Sequence, residues 1–137
     1  MSKIEQRPLT ENELEQLIEE ASESETVFMR ELKEPAIFFN SQIEQFGILS
    51  NSRPIYFWAV EKKKDNHYYL WTVVNKDVKE QFSIFKICKR NLDRFNKEHG
   101  ELYSIMYKGN EKNIKWTERL GFNRIAETEN KILFKRG

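Results

Sequence analysis

The stretch GNEKNIKWTERLGF, residues 109–122, decides how the rest of this chain is read. Gly109 makes a turn, and Asn110 is a residue type that satisfies the unpaired amides at a helix start. A short amphipathic run follows, and Gly121–Phe122 ends the helix and buries a ring. Just before it, ELYSIMY (101–107) reads as a strand. Upstream again, Val78, Phe82, Phe85, Cys88, Leu92 and Phe95 recur at helical spacing over about 78–98, and His99–Gly100 closes that helix. RPIYFWAVE (53–61) and HYYLWTVV (67–74) are rich in β-branched and aromatic residues and flank the polar KKKDN, as in a hairpin. Strand 67–74 loses its polar alternation near Leu70–Val74, so both of its faces are expected to be covered. NRIAET and KILFKRG form a terminal hairpin turning near Glu129–Asn130.

At the other end, KIEQR (3–7) is a short strand stopped by Pro8. Thr10 opens a helix through a capping box, because Glu13 lies three residues on and can reach back to the Thr10 amide. Leu14, Leu17, Ile18 and Ala21 share one face of it. Residues 26–46, divided by Pro35, have a pattern compatible with a helix, a helix pair or a loop. The order is strand, helix, an unassigned segment, two strands, helix, strand, helix, two strands. It predicts one α/β (α+β) domain over 1–137, with a mixed, mostly antiparallel sheet of about six to seven strands and helices on both faces. The unit spanning 67–107 supplies its one parallel pair.

Composition narrows the chemistry. With 137 residues and a net charge of +1, there is one core and no whole-molecule electrostatic case for nucleic acid, although a local basic patch is compatible with that balance. No apolar run reaches the roughly 20 residues that cross a bilayer. The N-terminus lacks the apolar middle of a signal peptide, so a cytoplasmic location in the producing cell is expected. One cysteine and two histidines rule out an internal disulfide and a cysteine–histidine metal cluster.

The element order, together with Asn110, Asn113, Gly121 and Phe122, resembles the GCN5-related N-acetyltransferase (GNAT) superfamily. QRPLTENE (6–13) fits the way its members begin. PIYFWAV, LWTVVNKDV, FSIFKICKRNLDRF and ELYSIMYKGNEKNIKWTERLGF are further similar to small phage-encoded GNAT-like proteins, including the internal virion protein A type. The resemblance implies a GNAT-like acyl-CoA N-acyltransferase fold in which the strand ending at Thr72–Val74 diverges from the next to admit the pantetheine arm of acetyl-CoA. It places cofactor contacts at Val73, Val74, Asn75, Lys76, Val78, Lys79, Asn110 and Asn113.

Two departures from the family pattern stand out. The loop NKDVKEQFS has no glycine to let backbone amides approach a phosphate, and Asp77 and Glu80 oppose Lys76 and Lys79. Where many relatives carry a tyrosine that protonates the departing thiolate, this chain has Thr117, a far weaker acid. Tyr107 is a substitute hydroxyl and Glu61 a candidate base. His67 and His99 read as strand-end and helix-end residues, and Cys88 as core. These features favour a phage protein with a degenerate cofactor loop, non-catalytic or weakly catalytic, in virion assembly or in binding a host protein, and virion-associated in location. The alternative is an active acyl-CoA-dependent N-acetyltransferase acting on a protein, a nucleobase or a small amine. A nucleic-acid module ranks last on charge.

Overall fold

The structure, a computed structural model, describes residues 3–20, 42–63, 65–75 and 78–137. Seven strands and three helices are defined there: β1 (Ile4–Arg7), α1 (Glu11–Glu20), β2 (Gln42–Ser50), β3 (Arg53–Lys62), β4 (Tyr68–Val74), α2 (Gln81–His99), β5 (Leu102–Tyr107), α3 (Glu111–Arg119), β6 (Asn123–Glu127) and β7 (Lys131–Arg136). The strands form one sheet in the order β1-β2-β3-β4-β5-β7-β6. Every pairing is antiparallel except β4 with β5.

The two faces of β4 separate the core into two clusters. Leu70 packs with Trp58, Ile84, Cys88, Leu92, Phe95 and Ile114 on the side of α2 and α3. Trp71 and Val73 pack with Phe57, Leu14 and Leu17 on the side of α1. Both faces are therefore covered, which is why β4 reads as an unbroken apolar run.

The start of α1 has the geometry its sequence requires. The Thr10 amide donates to Glu13 Oε1 at 2.9 Å, and the Glu13 amide donates to Thr10 Oγ1 at 3.2 Å. Arg7, at the end of β1, grips both oxygens of Glu13 at 2.9 and 2.8 Å. That bidentate bond holds the Glu13 carboxyl down at about 2, further lowered by the Thr10 bonds.

Three features differ from expectation. The strand β2 falls largely in the segment left unassigned. Its alternation is broken by register shifts between Gln42 and Glu44 and between Ile48 and Leu49. Glu44 also faces the α2 side, where it accepts bonds from Trp58 Nε1 and Arg94. Helix α2 starts at Gln81 and not near Val78. Its buried face is Ile84, Cys88, Leu92 and Phe95, while Phe82, read as core, is 72% exposed. Ala21, predicted on the apolar face of α1, lies outside the described residues, as does most of the segment 26–46.

Gly47 sits opposite Arg7 on one side and Phe57 on the other, and a Cβ there would overlap the buried side chain of Leu9. Gly47→Ala should lower stability by about 1–3 kcal/mol in urea unfolding, as overpacking does. A second expectation concerns acid. Because folding lowers the Glu13 pKa, its contribution is present above the ordinary value of 4.5 and is lost as pH falls toward about 2. Unfolding free energies measured between pH 6 and pH 2 should show wild type losing about 2 kcal/mol more than Glu13→Gln over that range.

Candidate functional site

The site follows from how little β4 and β5 share. They pair only at Tyr68–Leu102 and Tyr69–Tyr103. Beyond that point β4 stays with β3 up to Tyr56–Val74, and β5 stays with β7 up to Tyr107–Lys131. The two strands part, and a cleft of about 150 Å³ opens between them on the α2 and α3 side. Its walls are largely apolar: Tyr56, Val74, Val78, Ile84, Met106 and Trp116. Its polar lining residues are Thr72, Asn75, Gln81, Asn110, Lys112 and Asn113.

The backbone of β4 adds to this. The Asn75 amide donates to Ile55 O of the β3 side at 3.0 Å. Since successive amides of a strand point to opposite edges, those of Thr72 and Val74 are directed toward the β5 edge, where the cleft lies. The same alternation turns the Val73 amide toward β3, and its side chain packs on the α1 side of the sheet. Of the predicted strand-end contacts, Val74 is directed at the cleft and Val73 is not.

Asn75 is 2% exposed, and its Nδ2 donates to Glu20 Oε2 at 2.6 Å, an oxygen that also accepts from Arg53. It fastens the end of β4 to the end of α1. Past it, the Val78 amide bonds Asn75 O at 3.3 Å, and Val78 lines the cleft. Lys79 is exposed, and its amide donates to Glu80 Oε2 at 3.2 Å. Ser50 Oγ holds the other Glu80 oxygen at 3.0 Å. A carboxylate therefore sits at the start of α2, where the helix dipole and free amides would otherwise favour an anionic ligand. Lys76 and Asp77 lie outside the described residues.

Asn110 caps α3, its Oδ1 accepting from the Asn113 amide at 3.4 Å. The cap uses the oxygen, so the side-chain nitrogen, a donor only, is the polar atom Asn110 can offer to the cleft. Asn113, one turn later, lines the same wall.

The candidate catalytic residues are placed elsewhere. Thr117 is buried and donates to Met106 Sδ at 3.2 Å. Met106 faces the cleft, so Tyr107, next along the strand, points to the opposite face of the sheet, where Lys131 lies 5.3 Å from its ring centre. Glu61 is on β3, five residues from Tyr56, roughly 17 Å toward the end where β4 and β5 are still paired. None of the three lines the cleft. His67 stacks on Tyr103, and His99 lies against Phe95, at that same distant end. Among the described residues no cluster of histidine, cysteine and carboxylate could hold a metal, and no helix is long and apolar enough to cross a membrane.

Seven lining residues were not among the predicted contacts, Trp116 and Tyr56 with them. Trp116 follows Asn113 by three residues, so the helical spacing carried a signal for it. Tyr56 faces the cleft because it pairs with Val74, and that register is visible only in three dimensions.

No family model matches the sequence, and no curated protein matches it either. Solved structures do match its shape. PaiA N-acetyltransferase from Thermoplasma acidophilum, in complex with coenzyme A, superposes with a TM-score of 0.75 at 18% identity, covering 98% of each chain. The ribosomal-protein-S18-alanine N-acetyltransferase of Escherichia coli gives 0.70 at 18% identity, over 99% of this chain and 93% of its own. A SpeG spermidine N-acetyltransferase chimera from Vibrio cholerae and hSSAT gives 0.68 at 13%, over 98% and 95%. The fold is that of the GNAT acetyltransferases. At these identities the likeness is one of fold, and the two acceptors, a protein alanine and spermidine, show how little the fold alone dictates the substrate.

Cys88 lies beneath this wall. Burial pushes its thiol up to about 12, tempered by a hydrogen bond from the Tyr56 hydroxyl. A thiol-specific disulfide reagent at pH 8 should leave the folded protein unlabelled and titrate one thiol once the protein is unfolded.

Proposed function

We propose that this chain binds an acyl thioester in the cleft between β4 and β5 and acts as an N-acyltransferase on an amine, with acetyl-CoA as the donor. The single observation that carries this reading is the parting of the two strands after two residue pairs, with the amides of Thr72 and Val74 directed into the gap. Amides so placed can polarise a thioester carbonyl. The apolar walls suit an uncharged pantetheine arm, and Asn110, Asn113 and Lys112 supply donors along it. That the fold extends over 98% of a neighbour described in complex with coenzyme A supports the same reading. The acceptor is an amine of a protein, a nucleobase or a small molecule.

The diphosphate of such a donor fits less well. It would approach the Lys79 amide, which Glu80 already engages, in a loop without glycine. This observation and the burial of Thr117 favour a second reading, in which the cleft is vestigial and the protein serves as a weakly catalytic or non-catalytic binding partner. The phage setting, with a role in the virion or on a host protein, rests on the sequence resemblance alone. The order of the two readings is reversed from the sequence, because the parting of β4 and β5 supports the first even though the loop has changed.

Melting curves with and without millimolar acetyl-CoA separate them. Binding to the native state raises the melting temperature, and an unmoved transition would overturn the proposal. Asn110→Ser keeps a capping oxygen but removes the amide donor, whereas Asn110→Ala loses both. Asn110→Ala should cost about 1 kcal/mol of stability and Asn110→Ser much less. Both should weaken acetyl-CoA binding to a similar degree if the side chain touches the arm.

A further inference from the structure

We infer that the groove between α2 and α3, which shares Lys112 and Trp116 with the cleft, is also a binding surface for single-stranded nucleic acid. Two stripes with the same helical spacing define it. On α2, Phe82, Phe85, Lys86 and Lys89 fall at i, i+3, i+4 and i+7, and on α3, Lys112, Lys115, Trp116 and Arg119 do the same. The stripes meet: Phe85 and Trp116 are edge to face at 5.5 Å, and the Arg119 guanidinium lies 5.3 Å from the centre of the Phe85 ring.

The five cations of this groove take part in no ion pair among the described residues. Of the acids on the same helices, Asp93 is engaged by Arg136, Glu98 by Arg94 and Glu118 by Arg124, which leaves Glu111, next to Lys112, against the five cations. On the far side of the sheet, α1 carries the acids Glu11, Glu15 and Glu19. The net charge of +1 is a total for the whole chain, and it conceals a local field here that attracts a polyanion.

The aromatic rings decide which polyanion. Phe82 is 72% exposed on the outer surface of α2, with Lys86 Nζ 4.8 Å from its ring centre. An exposed ring flanked by a cation offers a base a face to stack on and its phosphate a counter-charge, which is the arrangement that binds single strands without reading sequence. A purely acidic polypeptide would use the lysines and leave Phe82 idle.

Fluorescence anisotropy of a short labelled oligothymidylate with the intact protein tests this. Binding should weaken about 100-fold between 50 and 200 mM salt, as expected for about five phosphates neutralised on a single strand. Phe82→Ala should weaken it about tenfold with an unchanged salt slope, the loss of one stacked base. Lys86→Glu with Lys89→Glu, and separately Lys115→Glu, should weaken it and flatten the slope. All these side chains are exposed, so melting temperatures should stay near wild type; Gln replacements at the same lysines guard against variants that do not fold. No binding at 50 mM salt would overturn the inference. So would equal competition by polyglutamate, or binding indifferent to Phe82→Ala, since either outcome makes the surface a general acid-binding face.

Discussion

Everything functional in this molecule depends on a sheet held together at its middle by two residue pairs. β3 and β4 are zipped along their whole shared length, as are β5 and β7, so each half of the sheet is stiff. The halves touch only at Tyr68 and Tyr69 against Leu102 and Tyr103. A crossover through α2, 19 residues and about 28 Å long, returns the chain to the start of β5 and fixes that junction. Past the junction, each strand's loyalty to its own partner forces the gap. The cleft is a consequence of pairing, and the side chains around it were fitted afterwards.

The end of β4 has to be held as firmly as its beginning, and Asn75 does this. Its amide extends the ladder to Ile55, and its side chain reaches Glu20, which Arg53 also holds. An asparagine in this position looks from the sequence like a ligand for a cofactor. In three dimensions it lines the cleft, and its side chain is a fastener beside Val74. Glu80 shows the opposite relation. The sequence shows only an acid opposing a lysine, and the structure shows where the charge rests: on the Lys79 amide just before α2, supported by Ser50 from β2.

How much of this was legible varies with the range of the interaction concerned. The capping box of Thr10 and Glu13, the Asn110 cap and the strands flanking KKKDN are local, and each was readable from a few neighbouring residues. β2 was not, because its bulges break the two-residue period and Glu44 faces the α2 side to meet Trp58 and Arg94. Phe82 misled for a related reason. Phenylalanine spacing suggested one face of α2, but the face that packs is chosen by Ile84, Cys88, Leu92 and Phe95. Of the residues expected at the site from motif position, Val78, Asn110 and Asn113 line the cleft, while the place of Tyr56 there depended on register across a long hairpin. The charge balance, a total, hid the cations gathered on α2 and α3.

Cys88 closes off one chemical route. It is the chain's single thiol, it lies directly under the cleft wall, and burial keeps it protonated across the physiological range. An acyl group delivered to the slot would find no thiolate to capture it. Transfer through a covalent acyl-enzyme on cysteine is thereby closed.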